Sequence, residues 1–203
     1  MGAKLLSILI PVYNQEELIV NAINSIPVRD DIEIIVVDDA STDNTVKNVL
    51  SLGRQITVIT ISKWKPTGFC RNLCLKAATG KFIMWLDSDD KLDTIKFIKF
   101  IDFLSKNINR DVIHIRIIDN NGKIFDGRKA WGTCTKISKL DIIRKYDIKF
   151  PEIVIAEDKS FWNSLKKHCV IATFYNEIFY YYNHPREGSS MWNHTHRIKN
   201  KNK

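Results

Sequence analysis

Lys81-Phe82-Ile83-Met84-Trp85-Leu86-Asp87-Ser88-Asp89-Asp90 is an apolar run that ends in three carboxylates within four residues. A short, continuous apolar run reads as a strand buried on both faces of a parallel sheet. Carboxylates crowded at its carboxyl end repel one another unless one is protonated or a cation neutralises them. Hard oxygen donors in that position suit Mg²⁺ or Mn²⁺ bridging to a diphosphate, so a nucleotide is the expected ligand. Acidic turns also cap helices, and Asp90 or Asp93 could simply open a helix over 94–106. The rest of the chain decides between the two.

Leu5 to Val12 is apolar and continuous, and Asn14-Gln15-Glu16-Glu17 behind it has a cap residue with glutamate three positions later, the pattern of a helix start. Ile32 to Val37 is a second apolar run; it ends in Asp38-Asp39 and a polar loop, 40–45, able to cap a helix over 46–52. Gln55 to Ile61 reads as a third strand, Phe69 to Ala78 as a helix closed by Thr79-Gly80, and Phe82 to Leu86 as a fourth strand. This alternation predicts a mostly parallel, Rossmann-like sheet flanked by helices. Ligands of open sheets bind beyond the strands' carboxyl ends, where Pro11-Val12-Tyr13, Asp38-Asp39 and Asp87-Ser88-Asp89 all fall.

Beyond residue 110 the pattern changes. Val112 to Ile118 and Lys123 to Phe125 flank Asp119-Asn120-Asn121-Gly122 as a hairpin, and Ser138 to Tyr146 reads as a capped short helix. Ala156 to Trp162 opens an amphipathic helix, and Phe174 to Tyr182 reads as an aromatic strand. A small antiparallel extension of the sheet is expected.

With 203 residues and 44% hydrophobic content, one core and one domain are expected. No stretch approaches the roughly 18 to 20 apolar residues of a membrane span, and the start runs into a strand pattern rather than a signal peptide, so a cytoplasmic location is expected. Cys70, Cys74, Cys134 and Cys169 show no Cys-x-x-Cys spacing, and reduced thiols follow from that. Cys70 and Cys74 lie one helical turn apart, a spacing better explained by buried thiols than by a zinc site. The net charge of +8 points to an acidic partner, and part of it sits in Arg197-Ile198-Lys199-Asn200-Lys201-Asn202-Lys203. Such a tail is either solvated or held against anionic lipid at a membrane surface, an anionic polymer or nucleic acid, with no recognition motif to choose among them.

Five blocks in order, Ser7 to Asn14, Ile34 to Asp43, Arg71-Asn72, Leu86 to Asp90 and Glu157-Asp158, closely resemble the successive signatures of glycosyltransferase family 2. The resemblance covers nearly the whole chain. It implies a GT-A fold, with a single nucleotide-binding α/β domain over 1–190 and a basic tail over 191–203. Within the domain, 1–100 is the expected donor half, and 101–190 the acceptor half with the catalytic base. It also implies transfer of a sugar from a nucleotide diphosphate, most readily a UDP-sugar, with inversion at the anomeric carbon. The acceptor would be a hydroxyl of a saccharide, a lipid-linked saccharide or a teichoic acid.

On that likeness Pro11 and Tyr13 line the base pocket and Asp39 accepts a hydrogen bond from the uracil imide. Asp38 could instead cap the following turn. Asp87, with Ser88 beside it, is expected near the ribose, and Asp89 on a Mn²⁺ or Mg²⁺ ion that stabilises the departing diphosphate. Arg71 would support donor binding or lie on the surface as a plain arginine. Asp158 is expected to be the general base, although an acidic pair also suits a helix start. Tyr180 to Ser190 resembles the family's closing tyrosine strand and the loop after it, from which Arg186 is the candidate for the diphosphate. His184 and Ser189 follow as further candidates, with His194 and His196 behind them.

The chain departs from the family at Cys74, where glycine is frequent, and in a short acceptor region over 120–150. A nucleotidyltransferase would need a glycine-rich basic loop after the first strand, where this chain has the acidic Asn14-Gln15-Glu16-Glu17. A dehydrogenase would need Gly-x-Gly-x-x-Gly, which is lacking. A catalytically inactive polyanion-binding relative and a transferase acting on an anionic polymer such as modified DNA are the alternatives.

Overall fold

The apolar runs become buried strands, and the polar segments between them become helix starts. The computed structural model describes residues 3–153 and 156–185. Among the described residues the strands are β1 (Leu6–Val12), β2 (Ile32–Asp38), β3 (Ile56–Thr60), β4 (Phe82–Trp85), β5 (Lys91–Leu92), β6 (Val112–His114), β7 (Arg116–Asp119), β8 (Ile124–Asp126), β9 (Lys136–Lys139), β10 (Ala172–Phe174) and β11 (Tyr180–Tyr182). The helices are α1 (Leu18–Asn24), α2 (Thr45–Leu50), α3 (Thr67–Ala77), α4 (Thr94–Lys106), α5 (Leu140–Lys145) and α6 (Glu157–Leu165), with a 3₁₀ turn at Thr133–Thr135 before β9.

A seven-stranded sheet has the order β10-β6-β9-β4-β1-β2-β3, with β1 paired in parallel to both β2 and β4. The chain runs from β1 outward to β2 and β3, then returns to the other side of β1 as β4. That reversal opens a crevice at the carboxyl ends of β1 and β4. β9 runs antiparallel between β4 and β6, and a second sheet has the order β5-β11-β7-β8. The period-two alternation of the strands divides the core. Ile8, Ile10, Val36 and Met84 face a layer with Ile19, Phe97, Phe100 and Ile101, while Leu9, Ile35, Val37 and Trp85 face Cys70, Cys74, Ile143 and Phe161. Each such side chain contributes about 1.5–3 kcal/mol on burial, which is why this part of the fold follows so directly from the sequence.

Four elements differ from expectation. Asn14 does not cap α1: its φ is +48°, and its side chain accepts from the Thr42 amide at 2.8 Å, joining two strand ends. The run 112–118 breaks at Ile115, which leaves the large sheet to enter the small one. There the Ile115 amide donates to Thr135 O at 3.0 Å and its carbonyl accepts from the Gly127 amide at 2.9 Å. Three backbones meet at this point, and a Cβ on Gly127 would lie 2.7 Å from Ile115 O, so only glycine fits. Ser138 is a strand residue paired with Ile83 and Val112 rather than a helix cap, and α5 starts only at Leu140. Finally, 174–182 is two strands: β10 lies on the edge of the large sheet and β11 lies between β5 and β7 in the small one. Asp93, one of the two cap candidates, does cap α4 by accepting from the Lys96 amide at 3.1 Å. Among the described residues no helix is long and apolar enough to cross a membrane.

Candidate active site

The register aligns the strand ends: Val12 pairs with Asp38 and Leu9 with Trp85, so residues 11–13, 38–39 and 87–90 emerge side by side. The loops after β1 and β2 are joined by further hydrogen bonds. The Asn14 amide donates to Ser41 Oγ at 2.9 Å, the Gln15 amide to Thr45 Oγ1 at 2.9 Å, and the Asn44 amide to Glu16 Oε2 at 2.9 Å. This holds Pro11 and the exposed Tyr13 beside Asp39. Asp39 is buried; its amide donates to Val12 O at 2.8 Å, and its Oδ1 accepts from the Lys65 amide at 2.8 Å. Burial pushes its carboxyl upward, against the pull of that amide. Asp38 turns inward, where Oδ2 accepts from the Ser41 amide at 3.1 Å, which is the turn-capping alternative. The Cys70 thiol, facing Asp39, is pushed up to about 12 by burial and by that carboxylate, and so stays protonated.

The acidic turn is held tightly. The Asp90 amide donates to Asp87 O at 3.0 Å, and Ser88 is buried. Asp90 is buried rather than capping a helix: Oδ2 accepts from the Tyr180 hydroxyl at 2.5 Å and Oδ1 from the Asn183 amide at 2.8 Å. Burial and the charges of Asp87 and Asp89 push its carboxyl up to about 8. Asp87, about one-third exposed at its side chain, is pushed upward by desolvation and by Asp89, with Arg71 opposing.

Arg71, 6% exposed on α3, is the hub that joins this turn to α6. One guanidinium nitrogen donates to Glu157 Oε1 at 3.0 Å and pairs with Asp158, while the other faces Asp87 Oδ1 at 3.5 Å. Its Cζ lies 5.6 Å from the Trp85 ring and 5.4 Å from the Phe150 ring, so aromatic faces back the charge. Glu157 and Asp158 open α6 directly after Ala156, whose φ is +66°. Ala40, directly after Asp39, has φ +59°, so left-handed backbone flanks both acidic positions.

Three carboxylates, Asp87, Glu157 and Asp158, thus meet Arg71, and Asp89 and Asp90 follow Asp87 on the same turn. Two ionised carboxylates about 4 Å apart repel by roughly 4 kcal/mol at an effective dielectric near 20, and the charge of Asp89 opposes ionisation of both Asp87 and Asp90. Among the described residues no group of three or more His, Cys, Asp or Glu could hold a metal ion by itself. Mg²⁺ and Mn²⁺ sites that draw one or two carboxylates from the protein and the remaining oxygens from substrate phosphates need no such cage. The acidic turn fits a cation of that type.

Several contributors carry no local signal. Lys136 is buried: its Nζ donates to Ala130 O at 2.7 Å and Thr135 Oγ1 at 2.8 Å and lies 4.7 Å from the Trp162 ring centre, fastening the 130–135 segment to α6. Desolvation lowers its ammonium to about 8. Tyr180, Asn72 and the Lys65 amide were likewise without an assigned role; the tyrosine run and the Arg71-Asn72 pair were the only hints. Arg186, with Ser189, His194 and His196, lies outside the described residues. His184 lies two residues beyond β11, where its ring stacks on Tyr182 with centroids 5.2 Å apart. A depression of about 300 Å³ near Lys4, Glu33, Gln55 and Thr79 lies at the opposite ends of the strands. There the Glu33 carboxylate is already engaged by Ser7, Thr79 and Gly80.

The chain is 28% identical over 210 residues to the poly(ribitol-phosphate) beta-N-acetylglucosaminyltransferase TarS of Staphylococcus aureus (strain MW2), a match covering 91% of this chain but 36% of TarS. It is 37% identical over 184 residues to the UDP-Glc:alpha-D-GlcNAc-diphosphoundecaprenol beta-1,3-glucosyltransferase WfgD of Escherichia coli, covering 82% of this chain and 72% of that protein. The crystal structure of S. aureus TarS 1-349 in complex with UDP-GlcNAc superposes with a TM-score of 0.83 at 26% identity, covering 92% of this chain and 60% of that one. The chain therefore spans about a third of the length of TarS, and its sheet and helices are those of the GT-A fold. The family model for glycosyl transferase family 2 matches residues 7–168, so the three aligned strand ends, with Arg71 between the acidic turn and α6, belong to a member of glycosyl transferase family 2.

Proposed function

We propose that this chain transfers a sugar from a UDP-sugar to an acceptor hydroxyl of a saccharide, a lipid-linked saccharide or a teichoic acid, in a single inverting displacement. The observation that carries the reading is Arg71, which joins the Asp87 side of the crevice to Asp158 on α6. A donor bound over the acidic turn then presents its anomeric carbon towards Asp158. Pro11 and Tyr13 flank the uracil, and Asp39, held by the Lys65 amide, accepts the imide proton. Asp87 and Ser88 face the ribose, Arg71 keeps the Asp87 carboxylate in place, Asp89 would hold the cation, and Arg186, outside the described residues, is the candidate partner of the diphosphate. The cation, when bound, neutralises charge that builds on the leaving diphosphate. Asp158 takes the acceptor's proton as the oxygen bonds to the anomeric carbon and the bond to UDP breaks.

The division into a donor half, 1–100, and an acceptor half, 101–190, belongs to the same proposal. The net charge of +8, and the likeness to an enzyme named for poly(ribitol-phosphate), support an acceptor that carries phosphate. Weakening of acceptor binding by salt is the expected signature. The test of the donor site is calorimetric titration of UDP with and without Mn²⁺ on wild type and Asp89→Ala. Binding that requires Mn²⁺ and disappears in Asp89→Ala supports the reading; absence of UDP binding under both conditions rejects it.

A further inference from the structure

We propose that Tyr180 is a positioning residue for the acidic turn, making the geometry of Asp87-Ser88-Asp89 depend on the last strand of the small sheet. The proposal rests on the reading of that turn as the donor site. Tyr180 is wholly buried; its hydroxyl donates to Asp90 Oδ2 at 2.5 Å and accepts from the Asp87 amide at 3.2 Å. The other Asp90 oxygen accepts from the Asn183 amide at 2.8 Å. Both ends of the turn are thus tied to residues more than eighty positions away in the chain.

The strand pairing reinforces the tie. β5 begins directly after Asp90 and pairs antiparallel with β11, Tyr180 opposite Leu92 and Tyr181 opposite Lys91, while β11 pairs with β7 on its other side. The small sheet therefore grips the turn through its backbone and through one hydroxyl. Carboxylates crowded on one turn tend to spread, and the bridge opposes this by drawing Asp90 inward. Only a group that both donates and accepts can make it; phenylalanine fills the same space without either capacity. Losing the hydroxyl leaves the part-buried Asp87 amide and a buried Asp90 oxygen without these partners. Asp158 on α6, the residue proposed to act on the acceptor, makes no contact with the hydroxyl through these bonds.

Tyr180→Phe tests this in the full chain. Tyr175→Phe is the control: it removes a tyrosine hydroxyl that bonds Glu177, away from the turn. Amide hydrogen exchange over residues 87–90 and calorimetric UDP binding with Mn²⁺ are the readouts. Tyr180→Phe should speed exchange in the turn and weaken Mn²⁺-dependent UDP binding, each by about tenfold, while Tyr175→Phe changes neither. With a UDP-sugar, KM should rise with kcat at saturation within about threefold. Exchange in the turn equal to wild type, or the same losses in Tyr175→Phe, overturns the proposal. A wild-type chain that binds no UDP removes the donor reading, and the exchange ratio alone then decides whether Tyr180 holds the turn.

Discussion

Asn72 and Phe150 exchange two hydrogen bonds: the Asn72 carboxamide donates to Phe150 O at 2.9 Å and accepts from the Phe150 amide at 2.9 Å. A side chain on α3 thus takes the place of a neighbouring strand for the segment that leads towards α6. The residue before it, Arg71, lies under the Phe150 ring and reaches Glu157 and Asp158. The pair therefore sets how far α3, with its arginine, stands from the acids of α6. Asn72→Ala leaves both polar groups of a buried residue without these partners, at a cost of about 2–4 kcal/mol. Thermal unfolding should report the loss, and Asn72→Asp, which keeps the acceptor alone, should fall between the two.

Gly68 lies one turn earlier on α3, against the same segment. A Cβ there would collide with Pro151 O and sit 3.3 Å from Phe150 Cβ. Because backbone rather than a flexible side chain is in the way, Gly68→Ala should cost about 1–3 kcal/mol and push Arg71 away from Glu157. Chemical denaturation measures the first effect, and weakened UDP binding the second.

Asp158→Asn keeps the shape of the α6 start and most of its packing but cannot take a proton. Transfer should fall by about 10²–10⁴ in kcat with UDP affinity nearly unchanged. Glu157→Gln, which removes the charge beside it, should cost far less. Equal losses in the two variants would move the base role away from Asp158.

Lys136 makes stability depend on pH in an alkaline window. Burial lowers its ammonium from 10.5 to about 8 in the folded chain. Between those values the unfolded chain binds more protons, so stability rises with pH: the cost of burying the charge is fully present below pH 8 and is gone above pH 10.5. Relative to Lys136→Met, wild type should gain on the order of 3 kcal/mol across that window. Denaturant unfolding of both proteins at several pH values checks the sign.

The legible part of the molecule was the part built from long apolar runs. β1, β2 and β4 bury both faces, so period and length alone identify them, and the acids at their ends inherit their positions from the sheet. The misread part was built from short strands with polar residues. Lys136 and Ser138 are buried in β9, where their polarity masks a strand; the apolar stretches 112–118 and 174–182 each span a change of sheet that no local pattern marks. Asn14 resembles a cap because its partner, the Thr42 amide, lies across a loop rather than along the helix.

The sequence by itself determined the order of strands and helices from β1 to β4, the acidic turn at 87–90 and the family likeness that links it to Glu157-Asp158, but not the short strand β5 that follows the turn. These follow from apolar periodicity and local turn chemistry, which act over a few residues. Only the tertiary structure decided that Arg71 serves both acid groups, that Asn72 holds Phe150, and that Tyr180 holds Asp87 and Asp90. Apart from the Arg71–Asp87 pair, 16 positions apart, those contacts join residues more than seventy positions apart. They form because buried donors and acceptors must find partners wherever packing brings them, a condition that no short stretch of sequence displays.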